Sequence, residues 1–421
     1  MTPPAAAAED SSPLRVLVAP DSFKGSLTQA EVAAAIAAGV TRAAPGARVT
    51  ELPLSDGGEG WLDTLVAADP GGRVESAAVT GPLGEAVDGS FGLVEGGRTA
   101  VVEVATASGL HLVDPTSATF RAASSRGSGE LIRAALEAGA TRVLVGLGGS
   151  ATTDGGAGLA TALGARLLDA AGEPVAAGGA ALAEVAAVDL GGLDPRLPAT
   201  TDPSRDAASA AAMVDDRAGP VPPGPQVEVL AAIDVDNPLL GPAGAAAVYG
   251  PQKGAGPEDV APVDAALANF AGRVEAALGR ELRSVPGAGA AGGLGFGLLA
   301  FCGARLVPGI EVALDLVGFD AALADADLVI TGEGRIDLQT LHGKVVAGVA
   351  ARARAAGVPA YAIGGAVDAA VGDEWPRFEA AGLAGVESTL ERPLPLAEAL
   401  DPVGARARLS AAAERLVRSL P

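Results

Sequence analysis

The stretch 142–165, RVLVGLGGSATTDGGAGLATALGA, constrains this chain more than any other. Val143–Val145 is a short apolar run, rich in β-branched residues, of the kind that buries on both faces of a parallel sheet. Glycines follow at 146, 148, 149, 155, 156 and 158, around Ser150, Thr152, Thr153 and Asp154. An alanine-rich segment from Gly158 onward predicts a helix. Strand, glycine-rich turn and helix N-terminus together make an anion site, because free backbone N–H groups and the positive end of the helix dipole converge there. The stretch therefore predicts an α/β fold that handles phosphate.

A competing reading exists. Gly146-Leu147-Gly148-Gly149-Ser150-Ala151 satisfies G-x-G-x-x-G/A, and Asp169 lies at about the right distance beyond it for a dinucleotide fingerprint. That would make an NAD-dependent Rossmann dehydrogenase. The extra residues 152–156, TTDGG, tell against it, since they push the helix start away from the fingerprint glycines. A Walker A loop is absent: Gly343-Lys344 is followed by Val345, and Leu338 stands where the upstream glycine belongs. The protein-kinase signature set does not occur either.

With 421 residues the chain predicts two domains. Apolar residues make up 49% against 19% charged, which excludes global disorder. A formal charge of −22 disfavours nucleic acid or an anionic membrane as partner, so an anionic ligand must be held by local cations and backbone N–H groups. Cys302 is the only cysteine, leaving no intrachain disulfide and no Cys-based zinc set. His111 and His342 are the only histidines, which argues against a His-rich metal centre and Ser-His-Asp chemistry. His111 is expected to be packed, and Cys302 to be an inert core thiol. No 18-residue uncharged apolar run occurs, and residues 1–13 read as a disordered tail rather than a signal peptide. A soluble cytoplasmic enzyme fits these features, with a homodimer left open.

Along the chain, Arg15–Ala19 reads as a first strand, and Thr28 as the cap of a helix to about Ala43. A second strand ends near Leu54, with a helix over 61–68. Residues 73–104 alternate in short runs and predict antiparallel hairpins. Ser124–Glu130 opens a helix to about Ala138. Residues 200–226 are polar, Pro-rich and aperiodic, and read as a flexible insertion. Val227–Ile233 is a strand, about Glu258 to Leu278 a helix, and an apolar helix runs to about Cys302. Asp327–Ile330, helix 345–356, strand 358–363 and helix 396–418 complete an alternating β/α order. The boundaries expected are a discontinuous parallel-sheet domain, 14–72 plus 286–421, of Rossmann or flavodoxin type, and an inserted mixed α/β domain, 73–285.

Acidic side chains recur beyond these strand ends: Asp21, Asp56, Glu59, Asp154, Asp234, Asp236, Glu333 and Asp337. Lys24, Arg126, Lys253, Arg335 and Lys344 share their loops. One loop aspartate is ordinarily a cap or an Asx turn. Eight carboxylates beside five cations suit phosphoryl transfer, which needs carboxylates for Mg²⁺ and for the proton of the attacking hydroxyl, and cations for the phosphates.

Seven runs then carry a family likeness: APDSFKGSL (19–27), DGGEG (56–60), SSRGSGEL (124–131), GLGGSATTDGGAG (146–158), DVDNPLLGPAGAAAVYGPQKGA (234–255), PGAGAAGGLGFGL (286–298) and TGEGRIDLQTLHGK (331–344). In order and spacing the chain resembles the bacterial glycerate kinases of type 1. The resemblance implies two α/β domains, one inserted in the other, and ATP- and Mg²⁺-dependent phosphorylation of D-glycerate, typically to 2-phosphoglycerate. On chemical grounds, Asp21 and Asp56 lead as the base, with Asp234 third, and substrate sits between the domains, whose closure excludes water. Lys24, Lys253 and Lys344 are candidates to neutralise phosphate oxygens. Arg126 or Arg335 suits the glycerate carboxylate, with Ser150 and Lys253 beside it. Gly148, Gly149, Gly155, Gly156, Gly292 and Gly293 are the phosphate-loop candidates, and Asp154, Glu333 and Asp337 the Mg²⁺ candidates. The alternatives are 3-phosphorylation, the dehydrogenase, and a noncatalytic ligand sensor.

Overall fold

The fold is described from a computed structural model, which covers residues 13–197, 227–341, 343–390, 392 and 394–420. Residues 1–12 of the expected tail 1–13, the insertion 200–226 and His342 lie outside the described residues. The chain divides into two compact units, Met1–Leu54 with Val317–Pro421, and Ser55–Leu316.

It starts in the first unit with β1 (Arg15–Val18) and β2 (Arg48–Glu51). The second unit holds β3 (Arg73–Thr80), β4 (Ala86–Val94), β5 (Thr99–Glu103), β6 (Arg142–Gly146), β7 (Arg166–Leu168), β8 (Ala187–Asp189), β9 (Glu228–Ile233) and β10 (Arg305–Pro308). The chain returns for β11 (Leu328–Ile336), β12 (Ala360–Val367) and β13 (Leu383–Ser388).

The first unit is one parallel sheet, ordered β13-β12-β11-β1-β2. This is the flavodoxin-type order. The chain leaves β1 for β2 on one side and later enters β11 on the other, so the switch point lies between β1 and β11. Thr28 caps the helix Gln29–Ala43 through a reciprocal capping box with Glu31. Val32, Ile36 and Val40 recur at helical spacing and join the core with Leu409, Ala413 and Leu416 of the helix Pro402–Arg418. The expected helix 396–418 is broken, into Leu396–Ala399 and Pro402–Arg418. Pro402 has no N–H with which to continue a helix, and Asp401 caps the new one at the Gly404 N–H.

The second unit has a mixed sheet, ordered β10-β9-β6-β5-β4-β3. Its first four strands are parallel, and β4 and β3 add antiparallel, as the alternating runs predict. Residues 55–72 and 286–316, expected with the first unit, belong here. The reason is pairing and burial. β10 lies parallel to β9, Trp61 is fully buried, and the helix Ala290–Cys302 is buried nearly all round. An all-apolar helix needs cover on every side, and it contributes to both cores of this unit. Cys302 is buried there, and burial pushes its thiol up to about 12. His111, by contrast, is exposed in a short 3₁₀ turn, against the expectation of packing.

Candidate active site

In the first unit, the acidic and basic loop residues converge on the switch point. The Asp21 N–H donates to the Gly332 carbonyl at 2.9 Å, so the turn after β1 runs beside β11. Gly334 lies against the backbone of Phe23 and Lys24. Asp21 is 8% exposed, and its carboxylate accepts the Ser22 N–H at 2.6 Å. Lys24 is exposed beside it. β11 runs to Ile336, past the expected end at Ile330, because β12 continues to pair with it through Val367. Glu333 is consequently a strand residue, paired with Gly364.

The Glu333 carboxylate is buried and accepts the Thr340 hydroxyl at 2.5 Å, with the Lys344 ammonium 3.6 Å away. Burial holds its carboxyl above the usual range, with Asp337 adding to the rise and Thr340 and Lys344 opposing it. Asp337 accepts the Gln339 N–H and lies 3.5 Å from Arg335, whose guanidinium also bonds Asp368 at 2.8 Å. Arg335, expected to hold a substrate carboxylate, thus has two protein carboxylates as partners. Thr340 and Asp368 are additions that sequence reading missed. Thr340 had a signal, standing three residues after Asp337; Asp368 had none, since β12 pairing alone brings it to Arg335.

In the second unit, the loop Ser55–Gly60 packs on the glycine turn after β6. The Gly148 N–H donates to the Gly57 carbonyl at 3.0 Å, and a Cβ on Gly148 would sit 2.5 Å from the Gly58 Cα. Asp56 stands half-buried in that loop, and the Glu103 carboxylate ties it down by accepting the Leu62 N–H at 3.1 Å. Asp234 is exposed just beyond β9. Gly149 is exposed and Gly148 half-buried, so this turn keeps a face to solvent. Arg126 is bonded to Glu130 at 2.9 Å.

The rest of the glycine stretch is interior. Asp154 is fully buried and accepts four donors: the Ser125 N–H at 2.8 Å, the Ser125 hydroxyl at 3.0 Å, and the Gly156 and Gly158 N–H groups at 3.1 Å each. Burial raises its pKa, and these bonds resist the rise. Three of these donors meet Oδ2 and one meets Oδ1, so Asp154 serves as the internal anion at the start of the helices Arg126–Glu137 and Ala157–Ala162 rather than facing solvent. Gly155, Gly156, Gly292 and Gly293 are likewise buried, the first facing the Leu267 and Phe270 side chains and the others close to backbone, and none is presented to a phosphate. The Gly155 N–H donates to the Gly292 carbonyl, and a Cβ on Gly156 would meet the Gly297 Cα at 2.7 Å.

Lys253 is 3% exposed. Its ammonium donates to the Ser150 hydroxyl at 3.1 Å and to the Thr152 carbonyl at 2.6 Å. Desolvation lowers its pKa to about 7, with Asp154 pulling the other way. The unfolded chain, with Lys near 10.5, then binds one more proton than the folded chain between about pH 7 and 10.5. The cost of burying this group is fully present below about pH 7 and is relieved as pH rises through that window. Denaturant unfolding of wild type and Lys253→Met at pH 6, 7.5 and 9 should show wild type gaining relative to the variant as pH rises. A pH-independent difference would contradict the assignment.

The chain has known relatives. The chain matches the glycerate kinase family over residues 16–204 and 207–421. Glycerate kinase of Bacillus subtilis (strain 168) is 47% identical over 354 residues, which are 84% of this chain and 85% of that protein. The chain belongs to the glycerate kinase family. Glycerate 2-kinase of Escherichia coli (strain K12) is 43% identical over 359 residues, 85% of this chain and 87% of the relative. A crystal structure carrying the name glycerate kinase 2, from Salmonella typhimurium LT2, superposes with a TM-score of 0.77 at 41% identity, covering 96% of this chain and 98% of that one.

This is an enzyme family, and the dinucleotide reading fails on geometry as well. The helix after the fingerprint starts only at Ala157, and Gly148 faces protein backbone. Asp169 follows β7, which belongs to a separate two-stranded sheet, and its carboxylate closes a turn by accepting the Ala171 and Glu173 N–H groups. A kinase of this family takes ATP as phosphate donor. Among the described residues, no helix is long and apolar enough to cross a membrane. Nor do three or more His, Cys, Asp or Glu side chains gather there to hold a metal ion.

Proposed function

We propose that the chain phosphorylates D-glycerate with ATP, at the 2-hydroxyl. The observation that carries this is the switch-point cluster of Asp21, Lys24, Glu333, Asp337 and Lys344 in a chain of this family. Asp21 accepts the proton of the attacking hydroxyl on its carboxylate. The substrate oxygen then forms its bond to the γ-phosphorus as the bond to the bridging oxygen of ADP breaks. Lys24 and Lys344 neutralise charge on the phosphate oxygens. Glu333 and Asp337 fit Mg²⁺, a hard cation that takes one or two carboxylates and completes its shell with phosphate and water oxygens. When bound, that ion supplies charge for the phosphates. The turn Gly148–Ser150, exposed at Gly149, receives an oxyanion in the second unit.

The name of the Escherichia coli relative supports the 2-position. The test is an ADP-release assay over D-glycerate, L-glycerate and other 2-hydroxy acids, with phosphorus NMR of the product. 2-Phosphoglycerate from the D isomer is expected. 3-Phosphoglycerate would move the reaction to the other hydroxyl, and ligand binding without turnover would make the chain a sensor.

A further inference from the structure

We propose that Lys253 is a positioning residue: its buried ammonium fixes the turn Gly148–Thr152 in the shape that receives an oxyanion, without touching the ligand itself. The inference rests on the kinase reading above. Backbone bonds secure this turn: the Leu110 N–H donates to the Gly149 carbonyl at 2.8 Å, and the Ala151 N–H to the Ser108 carbonyl at 2.8 Å. Neither reaches the Ser150 side chain, which is buried directly after the exposed Gly149. Lys253 does, from 103 residues away, and its second bond holds the Thr152 carbonyl.

The choice of lysine is informative. Replacing a buried charge by an apolar side chain of similar volume is often neutral or stabilising, so packing alone gives no reason to hold an ammonium here. The backbone is shaped to deliver it. Lys253 ends a 3₁₀ turn closed by Gly254 in the left-handed region, where a Cβ would sit 2.2 Å from the Thr116 nitrogen. An ammonium that donates to both a hydroxyl and a carbonyl also dictates orientation: the Ser150 oxygen must accept from lysine, so its own proton points elsewhere and is available to an oxyanion. That oxyanion is either the glycerate carboxylate or a phosphate of the nucleotide.

The experiment is steady-state kinetics of Lys253→Met, Ser150→Ala and the double variant, varying D-glycerate and MgATP separately, with thermal melts beside them. Lys253→Met should raise one KM about tenfold or more with a smaller change in kcat. Whether the D-glycerate or the MgATP value moves identifies the source of the oxyanion. Ser150→Ala should move the same parameter, and the double variant should lose no more than Lys253→Met alone. Unchanged KM values, or losses that add, overturn the inference. If Lys253→Met does not fold, Ser150→Ala decides it, with an unchanged KM again overturning it. A wild-type chain without glycerate kinase activity refutes the functional reading and this inference with it. An active wild type with indifferent variants refutes this inference alone.

Discussion

Asp21→Asn should lower kcat by about 10²-fold or more while leaving KM and the melting temperature close to wild type. The asparagine carboxamide has the same shape and can keep accepting the Ser22 N–H, so the turn after β1 has no reason to rearrange. What it loses is the capacity to take a proton. A loss confined to kcat is the mark of an interaction made in the transition state, whereas a raised KM would mean Asp21 serves binding. The paired variant is Asp56→Asn, in the loop that packs on the Gly148 turn of the second unit. Near-normal turnover in Asp21→Asn with collapse in Asp56→Asn moves the base to Asp56. If both variants keep near-normal turnover, no aspartate base operates at either place.

Gly292→Ala should destabilise the chain by about 4 kcal/mol or more, a large share of the roughly 5–15 kcal/mol that holds a typical protein folded. Two causes add. Gly292 has φ 71°, in the left-handed region, which costs a residue with a Cβ on the order of 1–2 kcal/mol. The added Cβ would also sit 1.8 Å from the Thr152 carbonyl oxygen, a backbone atom that itself accepts the Lys253 bond and cannot retreat cheaply. Gly357→Ala separates the two causes. Its φ is also left-handed, at 72°, but a Cβ there meets nothing within 4 Å, so only the conformational cost of about 1 kcal/mol should appear. Equal losses in the two variants by denaturant unfolding would show that the close approach of the two backbones contributes nothing.

Periodicity and turn chemistry made much of this fold legible. The Thr28 cap announced a helix to about Ala43, and the alternating runs of 73–104 announced the antiparallel strands. The glycine stretch announced a strand, a turn and a helix, and those elements are present, although the helix spans only Ala157–Ala162. It ends there because Gly164 turns left-handed against the Gly192 carbonyl, a contact written nowhere near it in sequence. The candidate site was legible as a set of residue types and illegible as a division of labour. Asp154 and Glu333 look alike in sequence, as acids in glycine-rich runs. One is closed off by four donors, and the other has the Thr340 hydroxyl and the Lys344 ammonium as partners beside the turn after β1.

By itself the sequence determined the family, the alternation of strands and helices, and the pool of carboxylates and cations, because these depend on residue identity and short spacing. Tertiary structure alone decided which of them share an edge. Strand order placed the Asp21 turn beside β11, and β12 pairing carried Glu333 and Arg335 into a strand. It also decided what glycine was for. A bare Cα permits either a phosphate or another backbone to come close, and at Gly156, Gly292 and Gly293 backbone is the neighbour. Only a folded chain settles which, since the contacting residues lie more than a hundred positions apart.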